Sequence, residues 1–82
     1  MEEFLLIGGT ADGQLVAIKS RNHIVVWSDK LRIYQKYIPA TYYYKNRPFN
    51  VALFNVTEDK VFTAVAKFAR SVNTTLTENK SY

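Results

Sequence analysis

The sequence predicts an α+β domain: a small antiparallel sheet of about five strands with one C-terminal helix packed on it. Three observations carry this. Up to Val56 the chain alternates short apolar runs with clusters of Gly, Asn, Asp, Ser and Lys, the rhythm of strands and turns. After Thr57 the apolar residues fall into helical spacing. The 82 residues contain no Cys but are 48% hydrophobic and 15% aromatic, so the fold rests on apolar packing and not on disulfides or a thiolate metal site.

The first run, Phe4 to Ile7, leads into Gly8-Gly9-Thr10-Ala11-Asp12-Gly13, and Leu15 to Ile18 follows. Strand, tight loop, strand is the natural reading. All three glycines of the chain lie in this loop, which points to positive φ angles or a close backbone approach there. Ser20-Arg21-Asn22 breaks the pattern, and the β-branched and aromatic His23 to Trp27 form a third strand.

After a turn at Ser28-Asp29-Lys30, residues Leu31 to Ile38 alternate. Leu31, Ile33, Gln35 and Tyr37 take one face, and Arg32, Tyr34, Lys36 and Ile38 the other. Leu31, Tyr34 and Ile38 also fit a helix, but the Ile and Tyr content and Pro39 directly after favour a strand. Tyr42-Tyr43-Tyr44 and Phe49 to Val56 read as a hairpin around Lys45-Asn46-Arg47-Pro48.

Thr57 is a good N-cap, and Glu58 and Asp59 suit the positive end of a helix dipole. Val61, Val65, Phe68 and Val72 make the apolar stripe of a helix over residues 58–71. Residues 1–72 are expected to form one globular domain and residues 73–82, rich in Thr, Asn and Lys, a flexible polar tail.

Several chemistries find no support. Gly8 and Gly13 have the spacing of a P-loop's outer glycines, but Gln14-Leu15 stands where Lys and Ser/Thr belong, and a strand follows instead of a helix. The acids lie at the N-terminus, in turns, at the helix start and in the tail, and His23 is the only histidine. No serine sits in a nucleophile-elbow pattern. No catalytic residue, metal or cofactor is therefore expected. The start Met-Glu-Glu is acidic where a secretory signal is basic, and no apolar run approaches the ~20 residues of a spanning helix. A cytoplasmic protein without membrane contact is the expectation.

The net charge is +4, and it is unevenly placed. Between Lys19 and Arg47 there are seven cations against Asp29 alone. Aromatics interleave with them, which makes Trp27, Arg32, Tyr34, Lys36, Tyr42, Tyr43, Tyr44, Lys45 and Arg47 the candidate binding surface. Cations neutralise phosphates and aromatic faces stack on bases, so nucleic acid is one candidate partner. Tyr, Trp and Arg also dominate protein–protein hot spots. The same residues serve equally as cross-strand cover on a thin sheet. Tyr42 and Tyr44 must face opposite to Tyr43 in a strand, so at least one large aromatic is exposed or covered by another chain. A protein partner or a homodimer is the leading expectation.

The stretch Leu6-Ile7-Gly8-Gly9-Thr10-Ala11-Asp12-Gly13-Gln14 resembles the opening of many small proteins of tailed bacteriophages and prophages. These open with a strand running into Gly-Gly-x-x-Asp-Gly and later carry a tyrosine-rich strand and a short C-terminal helix. Tyr44, Phe54 and the helix after Thr57 fit that outline, whereas Thr10 stands where Pro is frequent. The resemblance implies a phage-encoded accessory protein, in the host cytoplasm, that acts by binding a host or phage protein or as a minor particle component.

Overall fold

In the computed structural model, residues 1–19 and 21–80 are described, the side chains as far as Val72. Five strands, β1 (Glu2–Ile7), β2 (Leu15–Ile18), β3 (Ile24–Ser28), β4 (Ile33–Tyr44) and β5 (Arg47–Leu53), precede one helix, α1 (Glu58–Lys80). The strands form a single sheet in the order β2-β1-β5-β4-β3. It is mixed and not wholly antiparallel: β1 and β5 pair in parallel, Leu5 opposite Val51 and Ile7 opposite Leu53. The parallel pair joins the β1–β2 hairpin to the β3–β4–β5 meander, a long-range pairing that no local pattern announces.

The sheet curls. Phe4, Leu6, Ala11, Tyr37 and Ala52 form a core on its inner side, and Val16 and Ile18 of one edge strand pack on it together with Ile24 and Val26 of the other. Both ends of this inner core are closed by polar groups. At one end, the Arg21 guanidinium lies 5.2 Å from the Phe4 ring centroid and donates to Thr41 Oγ1 at 2.8 Å. At the other end sits the glycine loop. There Tyr37 Oη donates to Gly8 O at 2.6 Å and accepts from Ala11 N at 3.1 Å. Gln35 Oε1 accepts from Thr10 N at 2.7 Å, and Asp12 Oδ1 accepts from Gly8 N, also at 2.7 Å.

The outer side carries the helix. Val61 and Val65 pack with Leu5, Ile7 and Val51, and Ala64 and Phe68 sit at the margin with Ala40, Tyr42, Tyr44 and Phe49. Thr57 caps α1 as expected, its Oγ1 accepting from Lys60 N at 3.3 Å. Val72 is only half-buried, and the fully covered residue nearest that end is Ala69. The helix is longer than the expected 58–71 and reaches Lys80, because no Gly or Pro follows Pro48 to interrupt propagation. The side chains of residues 73–80, and residues 81–82, lie outside the described residues, and with them the expected flexible tail.

Two local expectations change. The 31–38 segment is a strand, but it begins at Ile33, with Arg32 in the preceding turn at φ 57°, and it runs on to Tyr44. Pro39 does not end it. Proline lies opposite Ala52 of β5 just where β3 has run out, the last β3–β4 pair being Ile24 with Tyr37, so its missing donor falls on a free flank. The hairpin loop is tighter than four residues. Tyr44 pairs with Arg47, and Lys45 and Asn46 alone make the turn at φ 51° and 64°, the two-residue geometry that matches strand twist.

Candidate functional site

Long β4 sets the geometry of the candidate surface. Its residues alternate between faces, so Gln35 and Tyr37 enter the inner core and Tyr34, Lys36 and Ile38 look outward. Antiparallel pairing places Trp27 opposite Tyr34 and Val25 opposite Lys36. These outward residues share the face that carries α1. The helix covers that face only over β1, β5 and the far half of β4, where Ala40, Tyr42 and Tyr44 lie. The half formed by β3 and the start of β4 is left open. Val25 is 55% exposed, Trp27 45%, Tyr34 71% and Ile38 56%.

The open half is ordered by its own contacts. The Trp27 and Tyr34 rings meet edge to face with centroids 4.8 Å apart. Trp27 Nε1 donates to Asp29 Oδ1 at 2.7 Å. The adjoining turn is held by Ser28, whose Oγ accepts from Leu31 N at 3.2 Å and whose carbonyl accepts from Arg32 N at 2.7 Å. That turn carries Lys30, exposed Leu31 and Arg32. Aromatic and aliphatic surface is thus bordered by Lys30, Arg32 and Lys36, while the local anion, Asp29, is engaged by the indole.

The nine residues expected to form one surface separate into three groups. Trp27, Tyr34 and Lys36 come together on the open half-face, with Arg32 at its margin in the turn. Tyr42 and Tyr44 are half-buried in the helix-side cluster, with the Tyr44 ring against Phe49 and Phe62. Tyr43 points to the opposite face and is 71% exposed. Lys45, in the hairpin turn, and Arg47, just after it, lie over the Tyr44 and Phe49 rings, at 5.5 and 5.9 Å from the centroids. Tyr34 and Tyr43 stand about 30 Å apart at the usual rise of a strand. Val25 and Ile38 were missing from the sequence reading of the surface, because an apolar strand residue is by default assigned to a core. Alternation in register with Trp27 and Tyr34 was the signal that could have placed them.

No protein-family model, no curated protein and no solved structure gives a significant match to this chain.

Elsewhere the described residues offer little chemistry. They contain no group of three or more His, Asp or Glu side chains placed to hold a metal ion. They contain no helix long and apolar enough to cross a membrane. A groove between the glycine loop and α1 is lined by Leu5, Asp12, Lys60, Thr63, Lys67 and Phe68. Its two facing charges, Asp12 and Lys60, pair with each other at 3.6 Å. His23 is exposed at the start of β3.

Proposed function

We propose that this protein is a non-enzymatic binding module that engages another protein through the open half-face of Val25, Trp27, Tyr34, Lys36 and Ile38. The observation that carries the reading is the exposure of Val25, Trp27, Tyr34 and Ile38 on one face of two adjacent strands, with Trp27 and Tyr34 directly paired. Clustered exposed apolar side chains of this kind mark interaction sites or aggregation liabilities. Tryptophan and tyrosine are the side chains that contribute most when a partner desolvates them. The resemblance of the Leu6–Gln14 stretch to small phage proteins supports a phage-encoded accessory protein directed at a host or phage protein.

Nucleic acid is the competing partner. It would need the cations of the sequence to form one track, but Lys36 and the Lys45–Arg47 turn lie at opposite ends of β4. Photo-crosslinking from position 34 in nuclease-treated bacterial lysate tests the proposal. The expected result is a protein adduct that disappears in the Trp27→Ala variant and is absent when the probe sits at Thr63 on the helix. Fluorescence anisotropy with short DNA and RNA is the counter-test. Salt-sensitive binding there, lost in Arg32→Ala/Lys36→Ala, would replace the protein partner by a nucleic acid.

A further inference from the structure

The open half-face adjoins a free sheet edge. Among the described residues, strand β3 has β4 on one side and no strand on the other, so one row of its backbone donors and acceptors is turned away from the sheet. Natural edge strands are guarded by charges, proline, bulges or extreme shortness. Ile24-Val25-Val26-Trp27-Ser28 carries no charge and no proline along its five residues. The other edge, β2, has four residues, and its outward Leu15 adjoins a groove closed by Phe49 and Phe68. The two edges are therefore not equivalent: Leu15, 48% exposed, is the one large apolar side chain turned outward on β2, whereas β3 continues into Val25, Trp27, Tyr34 and Ile38.

Charge decides what fits beside β3. Lys30 and Arg32 stand beyond its C-terminal end, where they outnumber Asp29 of the same turn, and Lys19 stands before its N-terminal end. A second copy of this chain added antiparallel would bring the net positive turn of one copy beside Lys19 of the other. Parallel addition would place each cation next to its own counterpart. Like charges facing each other across a sheet are unfavourable, so self-pairing is disfavoured in both directions. An extended segment with acidic residues at its two ends meets net positive charge at both ends of β3.

We propose that the edge of β3 takes up an extended, acid-flanked segment of the partner protein as a sixth strand, with its apolar side chains laid beside Val25 and Trp27 and its terminal carboxylates facing Lys30 and Arg32 at one end of β3 and Lys19 at the other. The inference rests on the protein-binding reading above and supplies the partner's chemistry. Main-chain hydrogen bonds hold such a strand, and alternate side chains select it.

Trp27 is the only tryptophan, so its emission reports the edge directly. The probe is a synthetic peptide of about eight residues, a usual strand length, with Val and Tyr at alternate central positions, Thr between them and Glu at both ends. Controls are the same peptide with Lys for Glu and one with a central Pro. The expected result is a blue shift of Trp27 emission with the acidic peptide. Its affinity should exceed that of the Lys peptide by about tenfold or more and fall as salt rises. The Pro peptide should not bind, and β3 amides should gain protection from hydrogen exchange in the complex. Val25→Glu, on the exposed face, should weaken the acidic peptide while leaving the melting temperature nearly unchanged. Equal affinity for both charges, or no binding by any of the peptides, overturns the inference. So does a concentration-dependent dimer that protects β3 without peptide. If position 34 crosslinks a protein whose binding leaves β3 amides unprotected, strand addition fails and the binding-module reading stands. If it captures nothing, both fail.

Discussion

At the residue scale the glycine loop shows why a polar and glycine-rich turn can be wholly architectural. A Cβ on Gly8 would run into the Phe54 carbonyl oxygen and Val56, and one on Gly9 into the Tyr37 hydroxyl and Gln35. Both also have positive φ, at 90° and 64°. Gly13 has a similar φ of 89° but open space around it. Gly8→Ala and Gly9→Ala should each cost clearly more than about 1 kcal/mol, through strain and collision together. Gly13→Ala should cost less than either, and urea denaturation of the three variants checks the order. Tyr37→Phe strips the hydroxyl that bridges Gly8 O and Ala11 N in a fully buried site. Loss of about 1–3 kcal/mol is expected, measured the same way. These roles were only partly legible. Three glycines in one loop announced unusual backbone, but Tyr37 and Gln35 are distant in sequence, and nothing local marked them as the loop's anchors.

At the element scale the helix followed its sequence pattern closely in phase and loosely in depth. Val61 and Val65 are buried, as the stripe requires, whereas Phe68 is half-buried and packs its edge on Phe49, centroids 6.2 Å apart. A fully buried Phe68 would imply a loss of about 3 kcal/mol or more on truncation to Ala. The observed exposure lowers that expectation, and Phe4 takes its place as the costly site. Phe4→Ala should lose about 3–5 kcal/mol, the usual range for an enclosed Phe, and Phe68→Ala distinctly less. Thermal melts of the two variants decide the order. Strand β4 teaches a complementary lesson. Alternation through Tyr34, Gln35, Lys36 and Tyr37 assigned the faces correctly, yet the strand read over Leu31 to Ile38 runs on through Pro39 to Tyr44. The proline is tolerated because β3 stops beside it, a fact about the neighbour that the chain at Pro39 does not contain.

At the scale of the whole molecule, coverage is the issue. The helix lies across β1, β5 and the far half of β4, and the remaining half of the outer face goes uncovered. Trp27→Ala/Tyr34→Ala removes an edge-to-face pair and the Trp27–Asp29 hydrogen bond, so a stability loss of about 1–3 kcal/mol is expected, less than at Phe4. The same change should abolish capture of a partner. Parallel melting and crosslinking measurements separate the two effects. The contrast with Arg21 is instructive. It belongs to the basic middle of the sequence but is spent on Phe4 and Thr41 at the end of the inner core, so it serves the fold and not the proposed interface.

The sequence by itself determined the α+β class, the strand-rich first part and the capped helix at Thr57. It also determined the absence of cysteine chemistry and the alternation that turns Tyr34 and Lys36 away from Tyr37. These follow from period, propensity and composition, which are local properties. Only the tertiary structure decided that β1 and β5 pair in parallel, that the sheet curls around Phe4 and Tyr37, and that the basic–aromatic residues divide among three places. Those outcomes depend on which distant strands become neighbours and on how much of one face a single helix can cover. Both are set by long-range packing, so the exposed surface around Trp27 emerges from the fold as a whole and not from the residues that compose it.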